Sequence, residues 1–454
     1  MEKRFLLLYA CLCAAALISS FSTVNAQQRN AFEEIRQDPD KAGTVFYMYN
    51  HDIPECAKPP KGYKSFYISH YGRHGARNHS SETDFSNVMK LLTAAEERGV
   101  LTDRGKELLG RYRAIYPLLH NCGGDLCDLG FQQQYKIAHN MFRAHRHIFR
   151  KQARVDAVST IVPRCILTMS AFTDQLLKEN PQLVISKQSS NSTMDYLNPF
   201  SLQNPDVQYT DEGYNNKYAY WQKDFRHMCD SLQRPGVVFG PLLTDLSLLD
   251  EIDSAASLER ALFGTVSGFQ CNGQITDSFW EFFPYDEICR LYECYNFRFY
   301  ASKGADTLYQ KGRQWAFVWR TMQDIIDKAD EDLASGGYAA RLRFGHDIII
   351  MSLFALLDID GYNKPVGSIG EVKDVFRSYD FPMSLNTQFI FYKNRAGDIL
   401  VRLLYNERDL ELPIPDCGTR YFYRWSDFRS FALQRIALAQ DIIATTQAPP
   451  RVKH

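Results

Sequence analysis

Three separated stretches of this 454-residue chain carry cations suited to an anion, two of them with proton-transfer groups beside glycine. The first is His70-Tyr71-Gly72-Arg73-His74-Gly75-Ala76-Arg77-Asn78-His79-Ser80, in which two arginines flank His74. A guanidinium fork matches the oxygens of a phosphate two at a time and keeps its charge at any working pH. A neutral imidazole, with an ordinary pKa of about 6.5, is nucleophilic, so a histidine in such a nest could attack phosphorus. Gly75 would let backbone come close to a ligand. On its own the Arg-His-Gly triplet also suits a basic surface loop. The second stretch, Pro163-Arg164-Cys165, opens a helix and could add a third guanidinium, although alone it is an arginine in a loop. The third is Arg343-Phe344-Gly345-His346-Asp347. Asp347 could simply cap the following helix, worth about 1 kcal/mol. In a phosphate site it would instead protonate a departing alkoxide, a poor leaving group without a donor, while His346 held a phosphate oxygen. Asn78, His79 and Ser80 follow His74 closely enough to touch a substrate.

Each stretch follows a run that reads as a strand. Residues 64–69, 156–160 and 339–344 are short and rich in strand formers, the first leading into a glycine-containing loop. Helical periodicity marks 84–98, 103–120, 132–153, 164–178 and 348–357. Residues 388–392 and 399–405 resemble a hairpin around 394–398, and 425–439 a closing helix. From 190 to 335 the texture shifts to Asn, Asp, Tyr and Phe, with amphipathic pieces such as 246–262 and 311–333 and hardly a regular strand. The expected fold class is α/β: a three-layer core with a mostly parallel sheet over 27–190 and 336–445. A mainly helical cap would be inserted over 191–335, with a disordered tail over 446–454. Ligands of such sheets bind beyond the carboxyl ends of the strands, where helix N-termini gather. All three stretches fall there.

A formal net charge of −1 gives no global basic field, so neither nucleic acid nor an anionic membrane is an expected partner. An anionic substrate would have to be drawn in locally. Lys3 and Arg4, the apolar run 5–21 and small residues up to Ala26 read as a secretory signal peptide over 1–26. The apolar run is short for a membrane span. The mature protein is therefore expected to be exported, periplasmic or secreted. Nine of eleven cysteines remain after removal of Cys11 and Cys13. In an oxidising compartment Cys122/Cys127 and Cys289/Cys294, with equal spacing, could each close a local bridge, and an odd count leaves a free thiol. CxxC pairs are absent and no metal site is expected. His139, His145 and His147, interleaved with Arg143, Arg146 and Arg150, read as a solvated basic helix face.

Together the three stretches resemble a known family. Arg73-His74-Gly75-Ala76-Arg77 resembles the RHGxR nucleophile motif of the histidine acid phosphatases. Ser159 and Arg164 resemble that family's serine-to-arginine segment, Gly345-His346-Asp347 its C-terminal HD pair, and 401–407 a late strand. The resemblance covers residues 65–415. It implies a two-step phosphomonoesterase in which His74 becomes a phosphohistidine and Asp347 is the proton donor. It also implies that Arg73, Arg77, Arg164 and His346 hold the phosphate oxygens, with no cofactor. Two departures stand out. The family often has Pro two residues after the second arginine, where this chain has His79. Its multiple inositol polyphosphate phosphatases typically carry His-Ala-Glu where this chain has His346-Asp347, yet the strand ending Tyr405-Asn406-Glu407 is similar to theirs. Inositol polyphosphates are the leading small-molecule substrates. The alternatives are a broad-specificity acid phosphatase and a non-catalytic phospholigand-binding protein of the same fold.

Overall fold

A computed structural model describes residues 29–207, 221–309, 311–362 and 364–446. The signal peptide expected over 1–26, and all but the first residue of the tail expected over 446–454, lie outside them. Strand β1 (Lys64–Arg73) is buried at every residue from Tyr67 to Arg73, as befits a central strand covered on both faces. Then come helices α1 (Glu82–Glu97), α2 (Asp103–Leu119) and α3 (Asp128–Ala144). Strand β2 (Arg154–Ser159), helix α4 (Pro163–Glu179) and strand β3 (Val184–Ser189) follow. The insertion contributes α5 (Ala255–Phe269), α6 (Tyr285–Lys303) and α7 (Trp319–Ser335). The chain returns through β4 (Ala340–Gly345), α8 (Asp347–Leu356), β5 (Asn386–Lys393) and β6 (Ile399–Tyr405). Two short strands, β7 (Arg408–Asp409) and β8 (Tyr423–Arg424), precede the closing helix α9 (Trp425–Thr445).

The sheet order is β3-β2-β4-β1-β5-β6-β7, with β8 also on β6. The first four strands are parallel, and β5 and β6 add an antiparallel hairpin. Side-chain alternation assigns the layers. Ile68, Val155, Leu342 and Phe344 face α3 and α4, meeting Ile137, Met141, Met169 and Phe172. Tyr67, Tyr71, Phe389 and Phe391 face the other way, among Met322, Ile325, Ile349 and Phe428 of α7, α8 and α9. This is the expected three-layer α/β core. A second apolar cluster joins Phe85, Leu91, Leu108 and Tyr112 of α1 and α2 to Leu258, Leu262, Phe263 and Tyr292 of α5 and α6. The helices after β1 thus share one core with the insertion. No helix among the described residues is long and apolar enough to cross a membrane.

Several expectations need correction. β1 does not give way to a loop at Ser69. It runs through Arg73, because Gly72 and Arg73 pair with Phe344 and Gly345 of β4. The helix expected over 132–153 ends at Ala144, where the chain folds back. There His145 is buried with Nδ1 3.0 Å from Ser65 Oγ, and His147 Nε2 donates to Ser65 O at 2.6 Å. A solvated face is therefore wrong for His145, whose burial, with Arg402 nearby, pushes its pKa down to about 3. The run 246–262 breaks at Ser254, whose Oγ caps α5 by accepting from Ser257 N at 3.2 Å. Similarly, 311–333 divides into Arg313–Ala316 and α7. β3 was not expected at all. Its residues are mostly exposed and polar, so it carries no apolar alternation. All nine described cysteines are free thiols. Cys289 and Cys294 share helix α6, where a five-residue offset turns them about 140° apart. Cys127 Sγ instead donates to Ala76 O and Cys271 O, at 3.1 and 2.6 Å.

Candidate active site

Because β1, β4 and β2 are parallel neighbours, their carboxyl ends deliver the three stretches to one place. His74 leaves β1 with its backbone N–H on Gly345 O at 3.0 Å, stitched to the end of β4. Arg164 sits in the first turn of α4, after Pro163, and Asp347 in the first turn of α8. Both helices therefore aim N-termini at the same crevice, where partial positive charge favours an anion. A cleft of about 380 Å³ opens there, lined by His74, Arg77, Arg164, His346 and Asp347, with His79 and Ser80 on its wall. Arg73 lies behind them, with Nη2 3.4 Å from Asp347 Oδ2. Asn78 does not line the cleft; its Oδ1 accepts from Asn272 Nδ2 at 3.4 Å.

His74 is held as a nucleophile would be. Its Nδ1 is 2.9 Å from Gly75 O, which can only accept, so Nδ1 carries the proton and Nε2 keeps its lone pair. The loop beyond it is fixed by Thr168 Oγ1, which accepts from Gly75 N at 3.0 Å, and Gln133 Oε1, which accepts from Ala76 N at 3.0 Å. Packing within the protein also demands glycine at position 75. A Cβ there would lie 2.5 Å from Gly130 O, in the backbone of α3. At Gly345 a Cβ would strike the Tyr71 hydroxyl, which donates to Leu197 O at 2.7 Å.

The electrostatics are lopsided. Burial, then Arg73, Arg164, Arg77 and His346, push the His74 pKa well below its ordinary value. His346 falls to about 3 through burial and Arg164, and its ring centroid lies 5.7 Å from that of His74. Arg77 is lowered to about 10 by burial and by Arg164 and Arg73, and Arg73 is lowered by burial despite Asp347. The Nε atoms of Arg73, Arg77 and Arg164 are all buried without a hydrogen-bond partner. Such crowding of cations is costly unless an anion joins them. The site can thus bind a tetrahedral oxyanion and set a neutral imidazole and a carboxyl group beside it.

No protein-family model and no curated protein matches this chain in sequence. Solved structures do match in shape. The multiple inositol polyphosphate phosphatase of Bifidobacterium longum, in complex with inositol hexasulfate, superposes with a TM-score of 0.70 at 18% identity, covering 88% of this chain and 99% of that one. Its phosphate complex gives 0.70 at 17% identity over the same shares. A phytase from D. castellii gives 0.67 at 13% identity, over 90% of this chain and 88% of that one. The fold is that of the histidine acid phosphatases. The similarity spans the core and the insertion, so the histidine acid phosphatase fold accounts for nearly the whole described chain.

Several residues that shape the site carry no signal in the sequence. Thr168 and Gln133, which position the loop, lie on ordinary helical periodicity and give no local signal. Thr44, Val45 and Phe46 reach the cleft from an N-terminal arm, Pro39–Phe46, a run too short for its pattern to mark a site. Phe263, Tyr295, Arg298 and Phe299 come from α5 and α6. Their amphipathic patterns report a buried face but not what it surrounds.

Proposed function

We propose that the protein is a phosphomonoesterase acting on inositol polyphosphates through a phosphohistidine on His74. The observation that carries this reading is the neutral, Nε2-open imidazole of His74 among three guanidiniums whose Nε atoms are buried and unpartnered. In the first step Nε2 attacks phosphorus in line, the N–P bond forms and the P–O bond to the alcohol breaks. Asp347 enters this step protonated and gives its proton to the leaving oxygen. In the second step the Asp347 carboxylate takes a proton from water as the water oxygen displaces His74, releasing inorganic phosphate. Arg73, Arg77, Arg164 and His346 stabilise the equatorial oxygens through both steps. A depressed His74 pKa supports this chemistry in acid, because the nucleophile stays neutral there.

The substrate class is supported by the ligands and activities of the proteins sharing the fold, and the expected signal peptide supports action outside the cytoplasm. A second reading, a phosphatase of broad specificity, draws on the cleft wall, where Phe46, Phe263, Tyr295 and Phe299 offer apolar surface. The test is release of inorganic phosphate from inositol hexakisphosphate and from an aryl phosphate, from acid to neutral pH, with chelator present. Strong release from the inositol substrate is expected. Release from the aryl ester alone would select the broad enzyme, and silence on both, in folded protein, a binding protein.

A further inference from the structure

The N-terminal arm holds the guanidiniums of both arginines flanking His74, although it lies outside every motif. Val45 O accepts from Arg73 Nη1 at 2.6 Å, and Phe381 O accepts from the same nitrogen at 3.2 Å. The Phe46 ring lies 5.0 Å from the Arg77 guanidinium carbon. Phe46 also stacks on the His79 imidazole, with centroids 5.5 Å apart and planes 24° from parallel. His79 is in turn wedged against α5, where a Cβ at Gly264 or Gly268 would come within 3.2 and 3.0 Å of it. Arg77, Phe46, His79 and the small-residue face of α5 therefore form a continuous stack running from the cleft into the insertion.

The arm is itself anchored. Trp280 Nε1 and Gln270 Nε2 donate to Asp40 Oδ1 and Asp40 O at 2.7 and 2.9 Å, and Cys271 Sγ donates to Phe46 O at 3.4 Å. A Cβ on Gly43 would lie 2.5 Å from Gln270 Nε2, so the arm and the end of α5 touch directly. Between these anchors Thr44 adopts φ 56° and ψ −123°, a region that a β-branched residue enters only under strain. Thr44, Val45 and Phe46 all line the cleft. Strain of this kind persists where the surroundings over-determine the backbone, commonly at ligand sites.

We infer that Phe46 is a positioning residue of the phosphate site, holding the Arg77 guanidinium through its ring face, and that the strained turn at Thr44 aims it. This rests on the phosphatase reading. A guanidinium over an aromatic face keeps its charge and its forks while losing freedom, so less ordering remains when an oxyanion arrives. His79, standing where the resembled family often has proline, stacks on the same ring.

The test compares Phe46→Leu, Phe46→Tyr and Thr44→Gly with wild type in the full chain, reading kcat/KM, the inhibition constant of inorganic phosphate and Tm. Phe46→Leu should weaken phosphate inhibition and lower kcat/KM together, on the order of ten-fold, and Phe46→Tyr should restore both. A purely structural ring would move Tm while leaving the phosphate constant alone, and that result overturns the inference. Thr44→Gly relieves the backbone and should hold or raise Tm while lowering kcat/KM. If it stays fully active, the strained turn aims nothing. Should Phe46→Leu fail to fold, Thr44→Gly decides. A wild type that neither releases nor binds phosphate sinks the phosphatase reading itself, whereas an active wild type with an equally active Phe46→Leu sinks only this inference.

Discussion

The same sheet carries two groups of buried arginines, and they are treated in opposite ways. Arg341 and Arg343, on the face of β4 that packs against α7, are fully engaged. Arg341 Nε lies 2.7 Å from Asp332 Oδ2 and its Nη1 3.0 Å from Asp156 Oδ2. Arg343 Nε lies 2.6 Å from Asp324 Oδ2, with Nη1 on Ser69 Oγ at 2.9 Å. Their pKa values rise, because neighbouring carboxylates outweigh burial. At the carboxyl ends of the strands, Arg73 is as deeply buried and Arg77 partly so, yet their pKa values fall, and one carboxylate, Asp347, reaches the group at 3.4 Å. A buried cation given a permanent partner is structural. A buried cation left with other cations awaits a transient anion.

The largest effect that would break this comparison is at the centre of the unpaired group. His74→Ala should lower phosphate release on the order of 10⁴-fold, as loss of a covalent nucleophile does. Activity near wild type would remove the phosphohistidine and reduce the cluster to a binding site. Asp347→Asn should come next. It should lose on the order of 10³-fold on alkyl phosphates, which need a proton on the leaving oxygen, and far less on activated aryl phosphates. Equal losses on both would take Asp347 out of the proton-donor role.

A paired substitution then sharpens the contrast between the groups. Arg164→Ala should cost on the order of 10²-fold in kcat/KM, comparable to removing one donor to a developing oxyanion, while Tm holds or rises as cation crowding eases. Arg343→Met should do the reverse. It strands the Asp324 carboxylate and should cost about 3–5 kcal/mol of stability, while phosphate affinity in the surviving folded protein stays near wild type. If both variants lose stability and neither loses affinity, the division into structural and ligand-binding arginines is wrong.

Legibility in the sequence follows the same division. The strand ends could be read because catalytic chemistry needs particular residue types next to one another: Arg73-His74-Gly75-Ala76-Arg77 and Gly345-His346-Asp347 are local words. The layers could be read because β1, β4 and α8 bury almost every side chain, which leaves dense apolar runs. What could not be read is held by long-range contacts. Arg73 meets Val45 across 28 residues and Phe381 across 308, and no periodicity records either. Gly75 carries a second demand that no local pattern records, since a Cβ there would clash with Gly130 of α3. β3, polar and at the sheet edge, lacked the one signal that strands give.

The smallest expected effect is on acid stability, and it tests both groups at once. His70, buried between Phe172 and Phe344 at centroid distances of 5.3 Å, is held at about 3 by burial and by Arg343 of the paired group. His346, also held at about 3, owes its shift to burial and to Arg164 of the unpaired group. In the unfolded chain both titrate at about 6.5. Below that pH the unfolded state binds protons that the folded state refuses, so their contribution is present in full above 6.5 and is lost as the pH falls toward 3. In phosphate-free buffer Tm should therefore decline steadily on the acid side, and His70→Phe should flatten part of that decline without touching turnover. On the proposed reading, inorganic phosphate should bind the folded protein in preference to the unfolded chain. At a hundred-fold excess over its Kd it should add about 2.7 kcal/mol. That gain should persist in Arg343→Met and fall away in Arg164→Ala. Equal gains in both variants would mean that phosphate stabilises the fold from somewhere other than the unpaired arginines.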